Sequence, residues 1–201
     1  MKIGIRGDEH QYHEVSARLG EKFRYVSVTD LTPVVYDLLF DFRPTPDQQY
    51  PDGPAIFVDV MKYPLSAFGN SGGSMFGFCG WPGFFSRPAI EVCLPGDDHL
   101  DRLTELAKSL AVEFLPVNDQ VGLVAPRVVA MIINEAHMAL DEEIATRQDI
   151  DVAMKLGTGY PFGPFEWCGK IGAGRVVDLL QTLCRSNPHR YVIARSLLAQ
   201  R

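Results

Sequence analysis

Short apolar runs, separated by polar and loop-forming residues, recur along the first part of the chain. The runs that we predict as β-strands span residues 2–6, 25–28, 55–60, 75–79, 89–94 and 112–117, and residues 36–42 fit either a strand or the end of a short helix. Between the first two runs, Val15, Leu19 and Phe23 recur at helical spacing, with Gly20 available as a C-cap. A second amphipathic helix is predicted over residues 97–110. Strands that alternate with helices in this way are typical of an α/β domain with a parallel sheet.

The pattern changes near residue 119. Residues 121–143 keep a helical apolar period, and Pro126 lies near the start of the run, where proline is tolerated. Thr146 is placed to cap a second helix, and further helices are predicted over residues 165–170, 174–185 and 189–199. We therefore predict two domains, an α/β domain over residues 1–118 and an all-helical domain over residues 119–201.

Composition restricts the classes of function. Hydrophobic residues make up 46% of the 201 residues and charged residues 22%, which is the balance of a folded globular protein. The net charge of −6 and the lack of a stripe of Lys and Arg argue against a nucleic-acid-binding surface. No apolar run is long enough to span a membrane, and the first residues lack the apolar core of a signal peptide. The four cysteines form no C-x-x-C pair, so we expect reduced thiols and a cytoplasmic protein.

Several conspicuous residues have a structural interpretation. His10 and His13 could face one metal ion, but the sequence offers no third ligand nearby, so we predict surface histidines and no metal site. The glycine-rich residues 68–77 are predicted as a loop. The aromatic side chains of residues 81–85 are expected to cover the sheet, and His137 is expected to pack half-buried on the long helix.

The most informative segment is NEAHMALDEEIATRQDIDVAMKLGTGYPFGPFEWCGKIG, residues 134–172. It resembles the C-terminal domain of short-chain 3-hydroxyacyl-CoA and 3-hydroxybutyryl-CoA dehydrogenases, whose signature reads DID-AMKLG-GYP-GPFE. The resemblance implies a shortened Rossmann-like sheet domain followed by a helical domain of the 6-phosphogluconate dehydrogenase C-terminal-like type. It also implies a homodimer formed through the helices, an acyl-CoA ligand, and oxidation of a 3-hydroxyacyl-CoA with NAD. Within the segment, we expect Asp149 and Asp151 in the first turn of a helix, where they complement its dipole.

Four residues take the positions of the family's functional residues by resemblance. Gly7 corresponds to the first glycine of the phosphate-binding loop, and Asp30 to the acidic residue that binds the cofactor ribose. Glu91 corresponds to the glutamate that pairs with the catalytic histidine, and Cys79 stands where that histidine would be. Gly7 and Asp30 are thus the candidate cofactor-binding residues, and Glu91 and Cys79 the candidate catalytic residues.

The departures from the family affect both the cofactor and the chemistry. Of the G-x-G-x-x-G pattern only Gly7 remains, because Glu9 and Tyr12 replace the other two glycines. Glu9 is expected to place a carboxylate where the pyrophosphate would bind. Cys79 replaces the histidine that acts as general base, and Pro126 replaces an asparagine that holds the substrate.

Two functional hypotheses follow. The resemblance implies a 3-hydroxyacyl-CoA dehydrogenase that uses NAD. The replaced residues favour a non-catalytic relative, which would be a dimeric acyl-CoA-binding protein or scaffold, since function depends on the site rather than on the fold. We expect dehydrogenase activity to be weak or absent.

Overall fold

Seven strands form one sheet in the first half of the protein, as a computed structural model shows for the described residues 1–69 and 74–201. The chain divides into two compact units, Met1–Leu123 (the sheet unit) and Val124–Arg201 (the helical unit). The sequence prediction places this boundary a few residues earlier. Part of the glycine-rich stretch predicted as a loop, residues 70–73, lies outside the described residues.

The sheet unit has the alternating order that the sequence predicts. Its strands and helices are β1 (Lys2–Arg6), α1 (Glu9–Leu19), β2 (Arg24–Ser27), β3 (Leu38–Asp41), β4 (Ala55–Asp59), β5 (Met75–Phe78), β6 (Ala89–Cys93), α2 (Leu100–Leu110) and β7 (Glu113–Val117). Short 3-10 helices at Leu65–Ala67 and Asp97–His99 complete it. The strand order is β2-β1-β3-β4-β5-β6-β7, and neighbouring strands are parallel except for the antiparallel pair β5–β6. The Rossmann-like α/β fold is confirmed, and the ambiguous residues 36–42 contain a strand.

Aromatic side chains build the core on one face of the sheet. Phe57 of β4 lies between Phe40 and Phe76 of the two neighbouring strands, with ring centroids 5.0 Å from each. Apolar residues of α1 and α2 belong to the same buried cluster, so these two helices cover this face. Over β1 the opposite face is closed by Tyr36, whose ring lies so close that a Cβ on Gly4 would come within 2.9 Å of it. A glycine is therefore required at position 4.

The strand directions decide which residues share an edge. Because β1, β2, β3, β4 and β5 are parallel, their carboxyl ends lie at one edge of the sheet, where α/β proteins bind their ligands. The chain passes from β2 to β3 through residues 28–37 without a helix. The shortened connection leaves β3 directly beside β1.

The helical unit contains α3 (Ala125–Asp141), α4 (Arg147–Thr158), α5 (Pro164–Ile171), α6 (Ala173–Ser186) and α7 (Arg195–Leu198). Thr146 caps α4 as predicted, accepting a hydrogen bond from Asp149 N at 3.2 Å. The prediction that the long helix begins at residue 121 is wrong: Leu123 has a left-handed backbone (φ 47°), and Pro126 lies in the first turn of α3. Within the described residues, no helix has both the length and the apolar character needed to cross a membrane.

The last predicted helix is much shorter than expected. Residues 189–199 are predicted as helical, but α7 begins at Arg195. Asn134 of α3 explains the difference, because its side chain donates to Val192 O (2.8 Å) and accepts from Ala194 N (3.0 Å). These backbone groups are bound to a neighbouring helix and do not form helical hydrogen bonds of their own.

Candidate functional site

Charged and polar side chains meet where the parallel strands end. We call Arg6, Asp41, Tyr50, Asp59 and Cys79 the strand-end cluster. Asp41 is completely buried at the end of β3, and its Oδ2 accepts hydrogen bonds from Arg6 Nη1 at 2.9 Å and Tyr50 Oη at 2.8 Å. Burial, reinforced by the Asp41 charge, raises the pKa of Tyr50, so this hydroxyl stays protonated and keeps donating. The end of β1 is thus tied to the end of β3 by an ion pair.

Asp59 is the second carboxyl group of the strand-end cluster. Its Oδ1 accepts from Met61 N (3.1 Å) and Gly80 N (3.2 Å), and a Cβ on Gly80 would lie 2.8 Å from its Oδ2. Burial of the carboxyl group raises the pKa of Asp59 to about 7, although part of the residue reaches the surface and both hydrogen bonds act in the opposite direction. Asp59 therefore exchanges a proton near neutral pH. The sequence prediction missed this residue, although it is the charged position in the apolar run of residues 55–60.

The two candidate catalytic residues lie opposite each other. In the antiparallel β5–β6 pair, Phe78 is the partner of Val92, and continuing this register by one residue places Cys79 opposite Glu91. Cys79 is buried, and its sulfur accepts a hydrogen bond from Trp81 N at 3.5 Å. Burial first, then the charge of Asp59 and, more weakly, that of Glu91, hold the pKa of Cys79 well above its usual value. The thiol is neutral, so it is neither a thiolate nucleophile nor a base.

The two candidate cofactor-binding residues lie on the other side of the same edge. Gly7 follows β1, and Asp30 lies exposed in a bend after β2. Since β1 and β2 are parallel neighbours, both residues are at the ligand-binding edge. Strands β3 and β4 separate this pair from Cys79 and Glu91. The structure brings the four residues to one edge as two separate pairs.

The amino end of α1 is capped by its own side chains. Asp8 is the N-cap: its Oδ1 accepts from Gln11 N at 2.9 Å, and Gln11 Oε1 accepts from Asp8 N at 2.9 Å. The sequence predicts that Glu9 places its carboxylate where the pyrophosphate would bind. In the structure the Glu9 side chain is instead 92% exposed and lies 3.7 Å from His13. The prediction for Glu9 is therefore corrected. Asp8 supplies the carboxylate because the N-cap residue, not the first helical residue, has the backbone geometry that turns its side chain back onto the free amides.

A connection rich in aromatic residues follows β5. Phe85 is buried against Phe40, with ring centroids 5.0 Å apart, which confirms that the aromatic residues of this segment cover the sheet. Glu14 of α1 holds the connection in place, because its Oε1 accepts from Phe85 N (3.1 Å), Ser86 N (3.2 Å) and Ser86 Oγ (3.0 Å). The residues after β5 are thereby fixed to α1.

Among residues 1–69 and 74–201, no three His, Cys, Asp or Glu side chains are grouped to hold a metal ion.

Two residues of the helical unit differ from their predicted positions. Asp151 lies in the second turn of α4 and not the first, and it is buried. Its carboxylate accepts from Phe165 N (2.8 Å) and Glu166 N (3.2 Å), so it serves the amino end of α5. His137 is fully buried where half-burial was expected.

The comparisons with known proteins agree with this architecture. Residues 122–201 match the family model of the 3-hydroxyacyl-CoA dehydrogenase C-terminal domain. The 3-hydroxyadipyl-CoA dehydrogenase of Escherichia coli is 45% identical over 91 residues, which are 43% of this chain and 18% of that protein. The 3-hydroxybutyryl-CoA dehydrogenase of Clostridioides difficile is 32% identical over 100 residues, 50% of this chain and 36% of that protein. The chain thus spans well under half the length of these curated relatives, and the resemblance expected from the sequence is confirmed.

Solved structures extend the likeness of the fold to nearly the whole chain. The (S)-3-hydroxybutyryl-CoA dehydrogenase of Ralstonia eutropha has a TM-score of 0.72 at 17% identity, covering 98% of this chain and 92% of that one. FadB2 of M. tuberculosis has a TM-score of 0.77 at 14% identity, with the same coverage of 98% and 92%. At such low identity these structures establish the fold alone.

Proposed function

We propose that this chain, whose residues 122–201 belong to the 3-hydroxyacyl-CoA dehydrogenase C-terminal domain family, is a non-catalytic, homodimeric relative of those enzymes. The observation that carries the proposal is that Cys79, at the position of the catalytic histidine, is buried and protonated. Oxidation of a 3-hydroxyl group needs a base that takes the hydroxyl proton. The residue opposite Glu91 is a buried thiol whose pKa is well above its usual value, so it has no such capacity.

The homodimer is supported by the surface of the helical unit. Val152 and Leu156 are four residues apart on α4, and they are 43% and 84% exposed. Phe162, in the turn between α4 and α5, is also exposed and lies beside Trp167, with ring centroids 6.5 Å apart. Exposed apolar side chains of this kind favour an interaction site, and the family resemblance implies that a second copy covers it. We call Val152, Leu156 and Phe162 the α4 patch.

A second candidate function rests on Asp59. With a pKa of about 7, its carboxyl group can accept or donate a proton at neutral pH, as a general acid or base must. It lies at the edge where α/β proteins bind ligands. An enzyme of this type would use Asp59 in place of the missing histidine, and the names of the curated relatives favour a 3-hydroxyacyl-CoA as its substrate.

The test is a turnover assay with acetoacetyl-CoA and NADH, followed by NADH absorbance. The proposal expects no rate above background, with the Ralstonia eutropha enzyme as positive control. Turnover that is lost on Glu91→Gln would overturn the proposal and assign a catalytic role to Glu91. Turnover that survives Glu91→Gln but is lost on Asp59→Asn would favour the second candidate.

A further inference from the structure

The amino end of a helix in a Rossmann fold is normally open to a ligand. Its first amide groups lack partners within the helix and, together with the helix dipole, attract the phosphates of a dinucleotide. The family resemblance implies NAD, so α1 is the element on which its pyrophosphate would rest. The residues at this end of α1 do not fit that role. Two of the three glycines of the phosphate-binding pattern are replaced, and side chains already occupy the amino end of the helix.

Two side chains already occupy this end of α1. The carboxylate of Asp8 accepts from Gln11 N, and the Gln11 amide oxygen returns to Asp8 N. Gln11 is buried, and its Oε1 is so close to Gly7 that a Cβ there would come within 2.6 Å. The glycine that survives from the phosphate-binding pattern therefore makes room for Gln11.

The crevice at the ends of β1 and β3 is also closed by side chains of the chain itself. From β1 the chain continues to β2 on one side, and β3 lies on the other, so the β1–β3 boundary is the switch point at which Rossmann folds bind dinucleotides. At this boundary Arg6 Nη1 is bound to Asp41 Oδ2 at 2.9 Å. Tyr50, also buried, adds its hydroxyl to the same carboxylate oxygen at 2.8 Å. An incoming phosphate would meet the carboxylate of Asp8, which repels it, and would find the Arg6 guanidinium already paired with Asp41.

We infer that Asp8 and Gln11 are a built-in substitute for the cofactor phosphate, which closes the amino end of α1 and lets the sheet unit fold completely without a nucleotide. The inference deepens the proposed function, because it concerns the cofactor edge of the same protein. It does not depend on whether Cys79 can act as a base. The substitute works by occupying the amides of Asp8 and Gln11, and its charge is secondary.

Thermal unfolding of the full chain with and without NADH tests the inference. We expect NADH to leave the melting temperature unchanged and to give no heat of binding in calorimetry. Asp8→Ala removes the cap and should lower the melting temperature by about 2–4 °C. Glu9→Ala is the matched control, because it removes an exposed neighbouring carboxylate and should shift the melting temperature by less than about 1 °C.

The Asp8→Asn variant distinguishes the effect of occupying the amides of α1 from the effect of the negative charge of Asp8. Asparagine caps a helix as well as aspartate does, so this variant should keep the wild-type melting temperature and still ignore NADH. NADH binding to the wild type or to Asp8→Asn would overturn the inference, as would an Asp8→Ala variant as stable as the wild type. Binding of NADH without turnover would leave the proposed function standing. Turnover of an acyl-CoA ester by a chain that ignores NADH would overturn the proposed function alone.

Discussion

His137 is a titratable side chain in the interior of the helical unit. It is fully buried on α3, its Nδ1 lies 2.8 Å from Ser196 Oγ, and its Nε2 has no hydrogen-bond partner among the described residues. Burial, assisted by the positive charge of Arg147 and opposed by Asp141, lowers the pKa of His137 to about 4. The imidazole is therefore neutral in the folded protein at neutral pH.

We predict that the helical unit loses stability in acid because of this residue. The unfolded chain binds a proton at His137 near pH 6.5, whereas the folded chain does so only near pH 4, so stability falls as the pH decreases between these values. The contribution of His137 should reach roughly 2–3 kcal/mol at about pH 4.5. It is measured as the difference between the wild type and His137→Leu in urea unfolding at a series of pH values, because the raised pKa of Asp59 acts in the opposite direction in both proteins. His189→Leu, at an exposed position, should keep the wild-type profile. Equal pH profiles for the wild type and His137→Leu would contradict the prediction.

For single residues, the extent to which a side chain is buried was the property hardest to predict from the sequence. His137 and Asp151 both lie on predicted helices, yet nothing in the helical spacing shows that Ser196 or the amino end of α5 will cover them. Burial raises the pKa of Asp59, and a hydrogen bond that opposes this shift comes from Gly80, which is distant in sequence. In contrast, the pairing of Cys79 with Glu91 could be expected, because it follows from the family resemblance and the strand register together.

At the scale of elements, α4 and α5 are joined by one carboxylate. Asp151 accepts two backbone hydrogen bonds from the first turn of α5, and Gly163 lies so close to it that a Cβ there would overlap the carboxyl group. Glu166 contributes a further bond by accepting from Gly163 N at 3.0 Å. The turn between the two helices thus depends on a side chain from the first helix to cap the second.

We predict that Asp151→Ala destabilises the helical unit by about 1–2 kcal/mol, because the capping acceptor is lost from a buried position. Asp149→Ala is the control on the same helix: its carboxylate is exposed, and its loss should cost only a few tenths of a kcal/mol. Chemical denaturation followed by circular dichroism would measure both. The prediction fails if the two variants are equally stable.

Element types were more predictable than element ends. Each strand predicted from an apolar run is present, because buried strands need such runs irrespective of their neighbours. The ends of α3 and α7 were misplaced for particular reasons, the left-handed backbone at Leu123 and the capture of residues 192–194 by Asn134. Both depend on contacts that helical periodicity does not record.

At the scale of the whole molecule, the α4 patch predicts the oligomeric state. We expect the protein to be a dimer in sedimentation equilibrium, and Leu156→Glu to weaken the dimer by about tenfold or more, since a charge would be placed in an apolar interface. Val192→Glu is the control, because Val192 is also exposed in the helical unit, at 54%, but lies outside the patch. A monomeric wild type, or dissociation by Val192→Glu alone, would contradict the patch as the interface.

The self-capped α1 has a consequence for the protein in the cell. A protein that binds a nucleotide gains stability in proportion to the logarithm of the nucleotide concentration, so its folded fraction, and with it its resistance to proteolysis, follows the metabolic supply. Asp8 and Gln11 replace that external contribution with a fixed intramolecular one. The abundance of this protein should therefore remain constant when cellular dinucleotide pools rise or fall.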